Sequence, residues 1–496
     1  MSDKSIVLSI SMLISGKKDM PKSLESLHYF KDALPCEIIL VDTGCNTEQR
    51  ALAEQYADKI FDFAWCNDFA AARNVGLKAA KGEWFLYLDD DEWFEDMSEI
   101  IAFFQTGEYR KYQYAMYLVR NYEDFEGKRY NDSPVGRMIR LQPDTHFIYA
   151  IHECFANVGT DTKYLNDYVH HYGYVYKNEE EMFAHARRNL IPLLVEHERE
   201  PDNLRHTLQL MQEYQSLQEY DRVEELGCSA IQKYDSEDNE QIYYFNSLLV
   251  LTLLALIKQE KVNKLTALGE QLRNHPYIGK LAEAYVCALL TYGYRETEKY
   301  PESMQCTENY LNLWEEYKKD SSYFTPFETG ILAPCFQKKT IQAVLENGIM
   351  SAIAVGNLRT AVCWTRLWED YDTEMFHGEK IVNCTVQIME QLEIACREKD
   401  AKEMVEALKQ LLQLHPSWGK VIKIRIEETA RILDVGRTQQ QEQEDLLKLA
   451  EQVKQQVRML IAQGRKQEAM EIMQQLRTIV PEDEEVRELI EHIMFS

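Results

Sequence analysis

The first third of the chain alternates short apolar runs with segments of helical periodicity. The β-branched and aromatic runs predict buried strands, and the segments between them predict helices. Asp68 is a candidate N-cap and Gly82 a candidate C′ glycine for the third helix. Predicted strands cover residues 6–14, 37–41, 60–63 and 84–88, and predicted helices cover residues 21–34, 47–57 and 69–80. This alternation predicts an α/β domain with a parallel sheet wrapped by helices.

Acidic residues follow two of these strands. Asp42 closes strand 37–41, and the triplet Asp89–Asp90–Asp91 follows strand 84–88. Ligands of parallel α/β sheets bind beyond the carboxyl ends of the strands, where the connecting loops gather. The sequence therefore predicts a site at this edge of the sheet.

From about residue 178 onward strand signals almost vanish, and helical segments follow one another with short polar breaks. Residues 399–416 align without gaps on residues 464–481, and residues 219–222 and 299–302 resemble further starts of a second helix. Paired helices with proline after the second are typical of tetratricopeptide-like repeats, which stack into a solenoid. An irregular all-helical domain is the alternative. The predicted divisions are a sheet domain over 1–177, a connecting helix over 178–200 and a helical repeat region over 201–496.

Composition narrows the class of protein. Lys and Arg number 55 against 82 Asp and Glu, a net charge of −27 without a basic cluster, which argues against a general nucleic-acid binder. The longest apolar stretch, residues 248–257, is about half a membrane span. No small-residue cleavage site follows the apolar segment 6–14, so no secretory signal is expected. Eleven cysteines without a C-x-x-C pair predict reduced thiols and a cytoplasmic location.

The aspartate triplet suggests cation chemistry. Clustered carboxylates at the end of a buried strand repel one another and lose solvation, and a bound Mg²⁺ or Mn²⁺ offsets that cost. In an extended segment Asp89 and Asp91 share a face, so one could hold a metal and the other a ribose. The alternative is an acidic N-terminal turn for a helix near Met97. For Asp42 the alternative is a turn ahead of the next helix. Arg73 could supply charge to a phosphate or pair with one of the aspartates.

Five segments in order resemble family 2 glycosyltransferases of the GT-A fold: VDTGC (41–45), WCNDFAAARN (65–74), KGEWFLYLDDDEWF (81–94), IHE (151–153) and HYGY (171–174). The resemblance spans about residues 5–195. It is closest to the bacterial branch with tetratricopeptide-like helices after the catalytic domain, which includes peptide S-glycosyltransferases of glycocin biosynthesis and enzymes linked to flagellin or surface-glycan modification. It implies an α/β GT-A (Rossmann-like) N-terminal domain followed by an all-α tetratricopeptide-like solenoid.

The resemblance assigns roles on the donor side. Asp42 matches the aspartate that contacts the nucleotide base, and Arg73 lies in a segment that lines the nucleotide pocket. Asp89, with Asp90 beside it, falls on the nucleotide-sugar side near the ribose. Asp91 matches the second D-x-D aspartate, which binds Mn²⁺ or Mg²⁺ on the diphosphate. The first-strand loop, residues 14–19 (ISGKKD), departs from the Asn-Glu pair usual in the family, which leaves its contact with the nucleotide open.

The resemblance also indicates acceptor-side groups. Glu153 falls where the family usually places its acidic residue and is the candidate general base; the alternative is a salt bridge with His152 that holds a loop. His171 is the candidate histidine that returns to the metal, and the alternative is a packed histidine on an aromatic strand. Arg137 and Arg140 are further candidates to face the diphosphate or the acceptor.

These residues predict an inverting, divalent-metal-dependent glycosyltransferase that uses a nucleotide-diphosphate sugar, UDP-linked in the first instance. Because concave solenoid faces commonly hold peptides, the expected acceptor is a protein or peptide presented by the helical region. Cell-surface glycan assembly is the alternative acceptor class, and a non-catalytic scaffold is the alternative of another kind. Two-metal phosphoryl transfer would need further carboxylates that the sequence does not identify. The helical region is also a candidate homodimer surface.

Overall fold

A mixed eight-stranded sheet forms the N-terminal part of the protein. The structure is a computed structural model that describes residues 6–235, 239–324, 330–372 and 377–495. The strands are β1 (Leu8–Ile14), β2 (Cys36–Asp42), β3 (Lys59–Asp62), β4 (Trp84–Asp89), β5 (Glu92–Phe94), β6 (Tyr114–Tyr122), β7 (Tyr130–Arg140) and β10 (Thr162–His171), in the order β3-β2-β1-β4-β7-β6-β10-β5, while β8 (Phe147–Ile148) and β9 (Cys154–Phe155) form a separate pair. The first four helices are α1 (Met20–Ala33), α2 (Thr47–Ala53), α3 (Phe69–Ala79) and α4 (Ser98–Gln105).

The first half of the sheet is parallel, and the second half mixes antiparallel pairs with one parallel pair, β6 with β10. Strands β3, β2, β1 and β4 run parallel, as the alternating pattern predicts, whereas β7 pairs antiparallel with β4. Within the parallel half, Ile14 lies opposite Asp42 and Leu13 lies opposite Asp89. This register brings the ends of β2 and β4 to the same edge of the sheet, on either side of the end of β1.

Small residues on α3 allow this helix to lie close to the sheet. Ala72 is fully buried beside Leu13 and Val41, and a Cβ added at Gly76 would lie 2.2 Å from Oγ of Ser11. The predicted N-cap is confirmed, because Oδ1 of Asp68 accepts a hydrogen bond from the amide of Ala71 at 2.8 Å. On the opposite face of the sheet, α1 and α4 bury a large apolar core with the alternate side chains of the same strands.

Gly82 does not act as the left-handed C′ glycine of α3 that the sequence suggested. The helix ends at Ala79, and the amide of Gly82 donates to Oγ of Ser9 at 2.8 Å. A Cβ added there would lie 2.6 Å from the backbone nitrogen of Ser9. Close approach of two backbones, rather than helix termination, is therefore the reason for glycine at this position.

Helices account for the described chain after β10. They are α5 (Glu179–Arg199), α6 (Leu204–Ser216), α7 (Tyr220–Lys233), α8 (Asn239–Lys258), α9 (Val262–Arg273), α10 (Lys280–Glu296), α11 (Tyr300–Lys319), α12 (Lys338–Val355), α13 (Leu358–Glu369), α14 (Glu379–Glu398), α15 (Ala401–Leu414), α16 (Gly419–Ala462), α17 (Lys466–Ile479) and α18 (Glu484–Phe495). Contacts divide the chain into two compact units. The first contains residues 1–282 and 324–332, and the second contains residues 283–323 and 333–496.

Within the described residues, six helix pairs share one turn geometry. In each turn a residue with positive φ precedes the second helix by two positions, and the following amide donates to a carbonyl five residues back, over 2.8–3.0 Å. The left-handed residues are Gln218, Glu260, Glu298, Gly356, Lys399 and Gly464. This repeated turn, which includes both halves of the aligned sequence repeat, is the structural basis of the tetratricopeptide-like pairs and favours them over an irregular helical domain.

Helix α8 is apolar along most of its length. Its segment Gln241–Lys258 is the one helical stretch in the described residues with the length and composition of a membrane span, and 61% of that window is buried within the structure. Phe245, Leu249, Leu253 and Leu256 are among its fully buried side chains. The helix packs against its neighbours α6, α7 and α9.

Candidate active site

A cavity of about 710 Å³ opens at the carboxyl edge of the parallel strands. This volume is in the range of small-molecule sites. The sheet side contributes Lys17, Thr43, Arg73, Asp89, Asp90, Asp91, Arg137, Glu153 and His171, and helices α5 and α6 contribute His185, Arg188, Asn189, Gln212 and Glu213. The aspartates after β4 and His171 at the end of β10 thus meet in one place, whereas Asp42 at the end of β2 does not line it.

Asp90 holds the first-strand loop. Its Oδ2 accepts hydrogen bonds from the backbone amides of Ser15 at 2.7 Å and Lys17 at 3.2 Å, and from Oγ of Ser15 at 3.1 Å. Between them Gly16 adopts a φ of +80°, in the left-handed region that favours glycine. Burial raises the pKa of Asp90, although these amides oppose the shift. The carboxylate predicted on the nucleotide-sugar side is therefore engaged in shaping the loop.

Asp89 lies between two arginines, of which Arg73 is buried and Arg137 is partly buried. Its Oδ1 accepts from Nη2 of Arg73 at 2.5 Å, and its Oδ2 accepts from Nη2 of Arg137 at 3.4 Å. Burial alone would raise the pKa of Asp89, but the charges of Arg73 and Arg137 outweigh it and hold the pKa well below its usual range. Arg137 also pairs with buried Glu92. Asp89 is thus an ionised carboxylate whose charge two guanidinium groups already balance.

Arg73 links the nucleotide side of the cavity to Glu153. The Nε of Arg73 donates to Oε1 of Glu153, and the guanidinium stacks over the Tyr87 ring with 4.3 Å between carbon and ring centre. Only 3% of Arg73 is exposed. The salt bridge considered for Glu153 exists, but its partner is Arg73. The sequence predicts that Arg73 either supplies charge to a phosphate or pairs with an aspartate. The structure shows the pairing with Asp89, and the guanidinium also lines the cavity.

Asp91 and His171 are the cavity residues best suited to a cation. Nζ of Lys17 lies 2.5 Å from Oδ2 of Asp91. Nδ1 of His171 lies 2.7 Å from Oδ1 of Asn121, an amide oxygen that accepts only, so in a neutral ring Nε2 carries the lone pair. Burial lowers the pKa of His171, which favours the neutral ring. Among the described residues, no three His, Cys, Asp or Glu side chains come together as a group that could hold a metal.

Two predicted site residues are placed elsewhere. Asp42 does not line the cavity; its Oδ1 accepts from the amides of Gly44 and Cys45, and its Oδ2 accepts from Arg50 at 2.8 Å. Burial raises the pKa of Asp42, but the Cys45 amide and Arg50 bring it below the usual value. This is the turn considered as the alternative for Asp42. Arg140 pairs with Glu83 at 2.7 Å and does not line the cavity.

Helices α5 and α6 supply a wall that the sequence analysis did not foresee. Glu213 on α6 accepts a hydrogen bond from Nδ2 of Asn189 on α5 at 2.9 Å. Beside them, Nη2 of Arg188 lies 3.1 Å from Nε2 of His185. The only sequence signal was a glutamate and an asparagine on apolar helix faces, which by itself does not distinguish a cavity wall from a buried polar pair.

Part of the chain is similar to known proteins. The model of the family described as Glycosyl transferase family 2 matches residues 15–164. A TPR repeat-containing protein of Synechococcus elongatus is 30% identical over 158 residues, which cover 29% of this chain and 34% of that protein. The matched part thus spans about a third of the length of this relative.

Solved structures were also compared with the chain. Residues 1–349 of TarS from S. aureus in complex with UDP align with a TM-score of 0.28 and 13% identity, covering 63% of this chain and 91% of that one. The mannosyltransferase PcManGT from Pyrobaculum calidifontis in complex with GDP-Man and Mn²⁺ aligns with a TM-score of 0.30 and 12% identity, covering 64% and 87% of the two chains.

Proposed function

We infer that this chain, which carries a family 2 glycosyltransferase domain over residues 15–164, is an enzyme that moves a sugar from a nucleotide-diphosphate sugar to an acceptor. The observation that carries the inference is the meeting of Asp89, Asp91, Arg73 and Arg137 in one cavity at the carboxyl edge of the sheet. A UDP-linked sugar is the proposed donor, and TarS, aligned above, was solved with UDP and with UDP-GlcNAc.

The cations of the cavity suit a diphosphate. Arg73 and Arg137 line the cavity and both pair with Asp89, and Lys17 reaches the cavity from the first-strand loop with 46% of its side chain exposed. Guanidinium groups and ammonium groups are the usual protein partners of phosphate oxygens. Lys17 is the cation that can move toward an incoming diphosphate, because its backbone is held by Asp90 while its side chain is partly free.

A divalent metal, Mn²⁺ or Mg²⁺, is part of the proposal. Asp91 and Nε2 of His171 would hold it, with the Nδ1 side of His171 fixed by Asn121. When bound, the metal supplies positive charge to the leaving diphosphate. Two protein ligands leave room for phosphate oxygens, which suits a metal that enters with the donor.

We propose that transfer proceeds with inversion, in which an acceptor-side base removes a proton as the sugar leaves the diphosphate. The sequence points to Glu153 as this base. Its carboxylate lines the cavity but is bonded to Nε of Arg73. Arg73 in turn bonds Asp89, so Glu153 is coupled to the donor side through one guanidinium.

The proposed acceptor is a protein or peptide, because tetratricopeptide-like helices commonly bind peptides along a concave face. A surface-glycan acceptor is the second candidate. To separate them, the protein is incubated with cell extract and an azide-tagged donor sugar, and the label is followed. A protein acceptor predicts protease-sensitive label in the protein fraction; label in lipid or polysaccharide that resists protease supports the surface-glycan alternative.

Activity itself is tested by release of free nucleoside diphosphate from UDP-, GDP- and dTDP-sugars, with Mn²⁺ and with EDTA. We expect release from one donor, and loss of release in EDTA. The Arg140→Gln protein is a matched control, since Arg140 lies on the same strand as Arg137 but outside the cavity. No release combined with no binding of UDP would favour the scaffold alternative.

A further inference from the structure

The first helices after the sheet bring a further carboxylate into the cavity. Glu213 on α6 lines the same cavity as Asp89 and Asp91, and only 9% of the residue is exposed. The Nδ2 of Asn189 donates a hydrogen bond to Oε1 of Glu213 at 2.9 Å. No lysine or arginine nitrogen in the described part of the chain lies within 4 Å of this carboxylate. It is therefore a buried carboxylate in a substrate-sized cavity without a bonded cation.

His152 lies near Glu213 but does not neutralise it. Its Nε2 is 4.0 Å from Oε1 of Glu213. The His152 side chain is 44% exposed, and desolvation at the cavity together with the charge of Arg205 lowers its pKa, which favours the neutral imidazole at pH 7. Arg188 acts on Glu213 only from beyond ion-pair distance. The negative charge of Glu213 is thus left for a group that enters the cavity.

Glu153 differs from Glu213 in this respect. Its carboxylate accepts the Nε–H of Arg73, which is buried and also bonded to Asp89. This charge-assisted bond to a buried guanidinium makes Glu153 an anchor for Arg73, and its Oε1 is already engaged when an acceptor enters the cavity.

We propose that Glu213 takes the proton of the acceptor, and that Glu153 positions Arg73. This proposal rests on the proposed function. A lone pair of the acceptor heteroatom forms a bond to the anomeric carbon of the sugar. The bond from that carbon to the diphosphate oxygen breaks, and its electron pair leaves with the diphosphate. The proton of the acceptor O–H, S–H or N–H passes to the carboxylate of Glu213 and later to solvent.

The environment of Glu213 fits this role. Burial raises its pKa, opposed by the hydrogen bond from Asn189 and the charge of Arg188. A carboxylate whose pKa moves toward the working pH is a more effective general base. Tyr174 and Tyr176 line the same cavity. Tyr174 packs against His171, the proposed metal ligand, with ring centres 5.1 Å apart.

The test uses the full-length protein with Glu213→Gln, Glu213→Ala and Glu153→Gln, each assayed for diphosphate release from the active donor and for UDP binding by calorimetry. Glutamine at 213 keeps an oxygen that can accept from Asn189, so this variant should fold. Glu196→Gln is the matched control, because Glu196 is a buried carboxylate on α5 that bonds the Ala150 amide and does not line the cavity. Sodium formate is added as an external base to Glu213→Ala and to a further variant, Glu153→Ala.

We expect Glu213→Gln to bind UDP like the wild type while its turnover falls about 10²- to 10⁴-fold, the usual contribution of a general base. Formate should restore part of the turnover of Glu213→Ala, which a purely structural residue would not show. Turnover of Glu213→Gln equal to that of Glu196→Gln would overturn the proposal. So would formate rescue of Glu153→Ala alone, which would make Glu153 the base. Absence of both turnover and UDP binding in the wild type would instead refute the proposed function.

Discussion

Lys17 and Asp91 form an ion pair, with 2.5 Å between Nζ and Oδ2, at the place where the D-x-D pattern puts the metal ligand. Lys17 belongs to the first-strand loop whose sequence departs from the family pattern, and Asp90 fixes its backbone amide. The charge of Asp91 raises the pKa of Lys17 despite burial, so the amine stays protonated. A metal that binds Asp91 therefore competes with Lys17 for the same oxygen.

Replacing Lys17 with methionine should strengthen binding of Mn²⁺ in the absence of nucleotide. Partly exposed ion pairs contribute up to about 1 kcal/mol, so the gain should be at most about fivefold. Binding of UDP without metal should weaken, because a cavity cation is lost. Electron paramagnetic resonance titration of Mn²⁺ measures the first effect and calorimetry the second. Lys18→Met, at the exposed neighbouring position, should change neither; equal behaviour of the two variants would contradict the competition.

Asp90 and Asp91 should contribute differently to the stability of the protein. Asp90→Ala loses the bonds to the Ser15 and Lys17 amides, and bonds to a buried charged group contribute about 1.5–3 kcal/mol each, so unfolding free energy should fall by a few kcal/mol. Asp91→Ala loses one partly exposed pair and should cost less than about 1 kcal/mol. Chemical denaturation measures both. Asp91→Ala should abolish stimulation by Mn²⁺ while remaining folded, and full metal-dependent transfer by this variant would refute the metal assignment.

The extent to which this site could be predicted follows from how far apart its residues lie in sequence. Asp89 and Asp91 stand directly after an apolar run, so strand end and carboxylates are visible in one local pattern. The pairing of Asp89 with Arg137 depends on the antiparallel register of β4 and β7, where Leu86 faces Met138, and no local signal sets that register. Glu213 is harder still, because it reaches the cavity only through the packing of α6 against α5 and the sheet.

The fold also combines features that follow from local sequence with features that depend on contacts between distant residues. Parallel strands and the cap at Asp68 follow from local periodicity and capping chemistry. The end of α3 does not, since Gly82 is needed for close approach to Ser9, a contact between residues far apart in sequence. Asp42 illustrates a competing local rule: a carboxylate at a strand end can satisfy its own turn and Arg50 instead of a ligand.

A histidine pair in the second unit should give opposite pH dependences of stability. His377 lies 3.6 Å from Glu346 and 3.1 Å from Asp372, and the bond to Glu346 is the main cause that raises its pKa above 6.5. The contribution of His377 to the free energy of unfolding is complete below pH 6.5 and is lost as the pH rises through the folded-state pKa. Burial, with the charge of His377, lowers the pKa of His415 to about 4, so its contribution is present above pH 6.5 and is lost as pH falls toward 4.

The measurement is the melting temperature of His377→Gln and His415→Gln against wild type between pH 5 and pH 8.5. The deficit of His377→Gln should be larger at the acid end, and that of His415→Gln larger at the alkaline end. Both histidines lie near Trp418, whose indole donates to Glu346 at 2.8 Å. Parallel trends for the two variants would contradict the opposite pKa shifts of His377 and His415.

The aligned repeat offers a matched test of the shared turn. Lys399 and Gly464 occupy the same position in the repeat and adopt φ of +58° and +75°. A side chain in the left-handed region costs about 1 kcal/mol relative to glycine. We therefore expect Lys399→Gly to raise stability by up to about 1 kcal/mol, and Gly464→Ala to lower it by a similar amount. No atom of the described residues lies within 4 Å of a Cβ added at Gly464, so the loss there would come from backbone conformation. Chemical denaturation measures both changes, and a loss of stability in Lys399→Gly would contradict the common geometry.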